Sequence, residues 1–193
     1  GTVAGVGYVP DENEDDLEII DLKGLHIIAD VTDLGTNCRE PGGEDRETIK
    51  SVSNAAAKGG VSTIISSPQS VNPIDTPEQV TYMINTAKSE SAVNLHPLGA
   101  LTKGCQGDEL AELALMKKEG AIGFHGDGFS LHDGLMKNAL SYANMIHSPV
   151  VIGVHSKMES SGAAMNEGAV STRLGLKGWP ALNETMMVEY TLN

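Results

Sequence analysis

TIKSVSNAAAKGGVSTIISSPQSVNPIDTPEQVTYMINTAKSESAVNLHPL, residues 48–98, reads as helix, strand, helix, strand. Thr48 to Lys58 carries a helical pattern closed by the Gly59-Gly60 pair. Val61 to Ser66 is β-branched and reads as a buried strand. Thr76-Pro77-Glu78 is an N-cap followed by proline at the first helical position, opening a helix to about Lys88. Val93 to Leu98 is the next strand.

The same rhythm extends both ways. Upstream, Ile27 to Leu34 reads as the first strand. Downstream, Asp108 to Glu119 reads as a helix with Leu110, Leu113, Ala114 and Met116 on one face, ended by Gly120. Ala121 to Phe124 is a strand, Leu135 to Ile146 a helix, Val150 to Val154 a strand, and Asn183 to Leu192 a last helix. Strands alternating with helices at this spacing predict an α/β fold with a parallel sheet and crossover helices. A doubly wound sheet and a (β/α)8 barrel both fit. A barrel takes roughly 250 residues, so 193 residues hold its first five to six units. A half barrel leaves its fifth strand with an open edge, and the expectation is therefore a part of a longer protein. Residues 1–26 differ. Gly5 to Val9 and Leu17 to Ile20 read as short strands of a small separate β element, with residues 27–193 forming the βα units.

Composition narrows the function. The net charge of −13 argues against nucleic acid and anionic membrane surfaces as partners. Much of it sits in the acidic run Asp11 to Glu18, read as a solvated loop. Hydrophobic residues make up 40% and aromatics only 4%, so the core must be aliphatic. Two cysteines, Cys38 and Cys105, make no disulfide framework and suit a reducing cytoplasm. No apolar run reaches about 18 residues, and no basic-then-apolar leader opens the chain. Met83, Met116, Met136, Met145 and Trp179 suit core packing first and a homo-oligomer interface second.

In parallel α/β folds ligands bind at the carboxyl ends of the strands. That rule selects Gly35 to Gly42, Ser67 to Asn72, Gly99 to Lys103, His125 to Gly128 and His155. Arg39 can hold a carboxylate through two parallel bonds, or pair with Glu40 or Glu44. His155, ending an apolar strand, can bind a metal, move a proton or bond a loop. Asp127 between two glycines is a ligand or a turn cap. No HxH or HExxH spacing occurs.

Several ordered segments resemble the dihydroorotase branch of the amidohydrolases. Asp33-Leu34-Gly35-Thr36-Asn37-Cys38-Arg39-Glu40-Pro41-Gly42 is similar to D-x-H-x-H-x-R-E-P-G. Gly59 to Thr63 is similar to G-G-[VF]-T-T, Ser67 to Ser70 to M-P-N-T, and Pro73 to Pro77 to the P-x-x-D segment that follows it. His96 to Gly104 matches H-P-I-G-A-x-T-K-G, and Met165 to Pro180 matches a long later stretch. The resemblance runs from about residue 18 to 190. It implies an amidohydrolase (β/α)8 barrel beside a small β-sandwich, with one or two zinc ions at the barrel mouth. It also implies interconversion of carbamoyl-aspartate and dihydroorotate by a metal-bound hydroxide, in pyrimidine biosynthesis. By the same resemblance Arg39 and Gln69 bind substrate, Gln69 standing where the family has Asn. Asp127 and His155 match metal-site positions, Asp127 also as a catalytic candidate.

The departures are concentrated at the metal. The HxH pair falls on Gly35 and Asn37. The family's S-D-D-G reads His125-Gly126-Asp127-Gly128, and after His155 the rest of H-x-E-D is Ser156-Lys157-Met158. Two further family ligands, a His and an Asp, lie on later strands. Retained R-E-P-G with lost HxH resembles the inactive dihydroorotase-like subgroup, structural partners of aspartate transcarbamoylase. The expectation is a non-catalytic protein with zinc absent or weakly held. The alternative is an active zinc amidohydrolase with a site rebuilt around His155 and the family's downstream His and Asp, with His125 as a further candidate. A weaker one is a metal-free binder using Arg39.

Overall fold

A computed structural model describes residues 5–7, 19–127, 131, 133–153 and 162–192. Its main body is a parallel sheet wound with helices. The order is β1 (Val31–Thr36), α1 (Ile49–Lys58), β2 (Val61–Ser66), α2 (Pro77–Glu90), β3 (Asn94–Pro97) and β4 (Gly99–Ala100). Then come α3 (Leu113–Lys118), β5 (Phe124–Asp127), α4 (Asp133–Met145) and β6 (Val150–Gly153). A last segment holds β7 (Met165–Asn166), α5 (Ala169–Leu174), β8 (Gly178–Trp179) and α6 (Ala181–Leu192), with β7 and β8 paired in parallel.

The strand order separates the two architectures left open above. β1, β2 and β3 are neighbours in chain order, as are β4, β5 and β6, all parallel. Leu98 bridges the two runs. Its N–H donates to Ser66 O on β2, and the next residue, Gly99, donates to Gly123 O beside β5. The wall therefore advances in one direction with no reversal. A doubly wound sheet reverses at its switch point. The arrangement is that of an arc of a βα barrel.

Helices form where the caps dictate. Thr48 Oγ1 accepts from Ser51 N and Ser51 Oγ accepts from Thr48 N, a reciprocal cap on α1. Gln79 Oε1 accepts from Thr76 N and Thr76 Oγ1 from Gln79 N, the same device on α2. The core lies between strands and helices. Ile64, Leu95 and Phe124 meet Ile49, Val80, Met83, Leu113 and Met116 there. Met83 and Met116 are core residues, whereas Met145 is exposed. On β3 the alternate residues Asn94 and His96 face away and are exposed.

Several boundaries differ from the sequence reading, each for a pairing reason. The first strand starts at Val31, opposite Val61, not at Ile27. Among the described residues Ile27 and Ile28 have no strand partner, and they are 81% and 77% exposed. The fourth predicted strand begins at Phe124 and runs to Asp127, so His125 lies within the ladder rather than in a loop. α3 is shorter than predicted, because Leu110 bridges Thr102 and Ala111 N donates to Leu101 O, which keeps this stretch extended. The short elements β7, α5 and β8 were not anticipated. Of the N-terminal β element, residues 5–7 and 19–26 carry no strand, and the remainder lies outside the described residues. Among the described residues no helix is long and apolar enough to cross a membrane.

Candidate functional site

The site grows from the carboxyl end of β1. The β1–β2 register slips twice, once at Val31/Thr32 and again between Asp33 and Thr36. The second slip places an extra residue on β1 just where Gly35 sits. Gly35 N donates to Asp33 Oδ1 at 3.0 Å. A Cβ built on Gly35 meets nothing within 4 Å, so the absence of a side chain is not enforced by space. Thr36 is paired with Ser66, and Ser67 N donates to Thr36 O at 2.8 Å. Thr36 Oγ1, Asn37 Oδ1 and Ser66 Oγ are shielded from water with no hydrogen-bond partner among the described residues.

Cys38 follows, 2% exposed. Its thiol is pushed up from 9.0 to about 12, by burial first and then by the carboxylates of Glu47, Glu40 and Asp33. It is therefore packing, not a nucleophile. Because its folded value lies above its unfolded one, its contribution is intact below about pH 9 and is lost as pH rises towards 12. Unfolding free energy measured by denaturant between about pH 8 and 11 is expected to fall, and Cys38→Ala to flatten that fall. In the native protein a thiol reagent at about pH 8 is expected to label the half-buried Cys105 well before Cys38.

Arg39 has φ of 57°, the left-handed region. Glu40 N donates to Cys38 O at 2.6 Å, closing a tight three-residue turn with Arg39 at its centre. Gly43 N donates to Arg39 O at 2.9 Å. A Cβ on Gly43 would lie 2.8 Å from that same oxygen, so the second glycine is required by close approach. The Arg39 side chain is exposed. The ion pair with Glu40 or Glu44 considered above does not form. Among the described residues the salt bridges are Lys23 with Asp21 and Lys103 with Glu109. Glu44 Oε1 instead accepts from Gly42 N at 2.8 Å.

Glu40 is 8% exposed. Its Oε2 accepts from Ile49 N, the first residue of α1, at 2.8 Å, and its Oε1 accepts from Tyr82 Oη–H at 2.7 Å. The bond to Glu40 is the main cause holding the Tyr82 phenol above its ordinary value, so Tyr82 stays a donor at neutral pH. Gln69 is half-buried, and its N–H donates to Ser67 Oγ at 3.3 Å. Asn72 N donates to Pro41 O at 3.3 Å, tying the loop after β2 to the loop after β1. Pro41, Asn72, Pro73 and Tyr82 line an open depression of about 430 Å³ beside this turn.

The remaining expected residues are on β5 and beyond. Asp127 ends β5, its backbone paired with Gly153. His155 lies outside the described residues. His125, half-buried, is flanked in the ladder by Ala100 and Val151. Gly126 occupies filled space: a Cβ there would lie 3.0 Å from Leu101 Cδ2 and 3.2 Å from Leu131 Cδ1. A carboxylate at that position would need those leucines to move. The structure thus brings Gly35, Asn37 and Arg39 together at one strand end. Tyr82 is not among the residues the strand-end rule selects, since its contact with Glu40 across 42 positions leaves no local pattern.

Metal binding is tested by the donors present. Gly35 supplies no atom. Asn37 offers one neutral amide oxygen, a poor zinc ligand beside imidazole. Among the described residues no three His, Cys, Asp or Glu side chains can jointly hold a metal ion. The strand-one end does not fit a zinc site.

Residues 24–192 match the family described as dihydro-orotase-like. A dihydroorotase of Pelotomaculum thermopropionicum is 41% identical over 172 residues, 89% of this chain and 40% of the relative. One of Caldicellulosiruptor saccharolyticus is 39% identical over 184 residues, 95% of this chain and 43% of the relative. The chain thus spans about 40% of the length of these curated relatives. Among solved structures, the L-hydantoinase (dihydropyrimidinase) from Arthrobacter aurescens superposes with a TM-score of 0.64 over 84% of this chain and 38% of that one. Its sequence identity is 18%, so the likeness concerns the fold.

Proposed function

Because the chain belongs to the dihydro-orotase-like family, we propose that it is a non-catalytic member that keeps the carboxylate-binding arginine and serves as a structural partner of aspartate transcarbamoylase. The observation that carries this reading is the end of β1, where Gly35 and Asn37 stand in place of two imidazoles. In an active family member zinc would lower the pKa of a bound water to about 7 and polarise the carbonyl. Gly35 and Asn37 cannot hold it there. Gly126, hemmed in by Leu101 and Leu131, supports the same reading from β5. Arg39, exposed and without an ion-pair partner among the described residues, is left to hold the carboxylate of carbamoyl-aspartate or dihydroorotate.

The test is zinc analysis of the full-length protein with an assay of dihydroorotate hydrolysis. Sub-stoichiometric zinc and no turnover above background are expected. Stoichiometric zinc together with turnover sinks the reading. The partner role predicts co-elution with aspartate transcarbamoylase from the same source on gel filtration, and separate elution removes it.

A second reading is favoured by the relatives, which are themselves called dihydroorotases. In it the chain contributes His125 and His155 to a rebuilt zinc site of an active cyclic amidohydrolase. His125→Ala and His155→Ala must then abolish turnover; activity untouched by both disposes of this reading.

A further inference from the structure

We propose that Glu40 and Tyr82 are positioning residues: together they hold the turn that presents Arg39 and keep Glu40 from neutralising it. This rests on the reading of Arg39 as the carboxylate-binding residue. Arg39 sits at φ of 57°, a left-handed conformation that L residues rarely adopt. Such a conformation persists only where its surroundings over-determine it. Here they do. Cys38 on one side is buried in the core, and Glu40 on the other is anchored to two helices at once. The Ile49 N–H lies at the start of α1, where a carboxylate is favoured by the helix dipole.

The arrangement answers a problem of local charge. A glutamate adjacent to an arginine is its nearest competitor for the guanidinium. Glu40 is drawn away from the guanidinium because its carboxylate is anchored at both oxygens, one to the backbone of α1 and one to Tyr82 on α2. No other carboxylate among the described residues pairs with Arg39. The guanidinium is left with its five donors open to a carboxylate from outside. Tyr82→Phe releases Oε1 of Glu40 and gives Arg39 an internal partner.

Calorimetry with N-carbamoyl-L-aspartate and L-dihydroorotate tests this on the full chain. Tyr82→Phe is expected to weaken binding about three- to tenfold, the worth of one such hydrogen bond. The loss must vanish in an Arg39→Ala background, since a clamp acts only through the residue it presents. A merely structural role would lower the melting temperature and leave this coupling at zero. Unchanged affinity in Tyr82→Phe, or an equal loss with and without Arg39, overturns the proposal. NMR supplies a readout that needs no ligand. The Arg39 backbone shifts report its left-handed turn and are expected to move towards averaged values in Tyr82→Phe and Glu40→Gln. If the parent binds neither probe, the reading of Arg39 falls, and the clamp stands or falls on these shifts alone; shifts unmoved in both variants refute it.

Discussion

The double variant Gly35→His/Asn37→His is expected to take up about one zinc per chain, where the parent takes up far less. Structural zinc sites use four ligands; the two imidazoles two residues apart restore the HxH spacing of the resemblance, and we propose Asp127 and His155 as the other two. The backbone accepts the change. Gly35 lies in β1, and a Cβ added there meets nothing within 4 Å. Asn37 Oδ1, hidden from water and without a partner, is a group whose replacement removes no hydrogen bond it makes. Metal analysis after dialysis gives the first readout. Thermal unfolding gives the second, since zinc at about 100 times its dissociation constant adds roughly 2.7 kcal/mol to stability and a chelator removes it. A variant that folds as the parent does and still holds no zinc would show that Asp127 and His155 do not supply the other ligands.

Phe124→Ala is expected to destabilise the fold by about 3–5 kcal/mol, read as a lowered midpoint of denaturant unfolding with little change in slope. Phe124 is fully buried at the start of β5, where it joins Leu113 and Met116 in the cluster behind the sheet. Gly99 gains no Cβ without approaching Met116 Sδ at 3.0 Å and the Phe124 ring at 3.1 Å. With the surroundings this tightly packed, the void left by alanine cannot easily collapse. A loss below about 1 kcal/mol would mean that the neighbours close over the gap, contrary to the packing described.

The architecture was legible in residues 48–98, because two periodicities and two capped helices agree there on one answer. Legibility ended where a partner rather than a pattern decides. Ile27 and Ile28 look like a strand, yet no neighbour among the described residues runs beside them. Ala121 and Ile122 look like the start of β5, yet the ladder begins at Phe124 opposite Val150. At the site, Arg39 could be found from its place after the first strand and from the resemblance. Its backbone angle and the commitment of Glu40 to Tyr82 could not, since both arise from contacts between elements. The resistance of Gly126 to a side chain was likewise hidden, being set by Leu101 and Leu131.

Within each three-stranded run, every strand after the first is placed against the one made just before it: Val61 beside Val31, Asn94 beside Thr63, Val150 beside Phe124. A chain emerging amino end first from the ribosome can therefore lay down its wall one unit at a time. Each pairing joins strands that are consecutive in the chain. The order of synthesis is also an order of assembly, and the growing edge is always the most recently made strand.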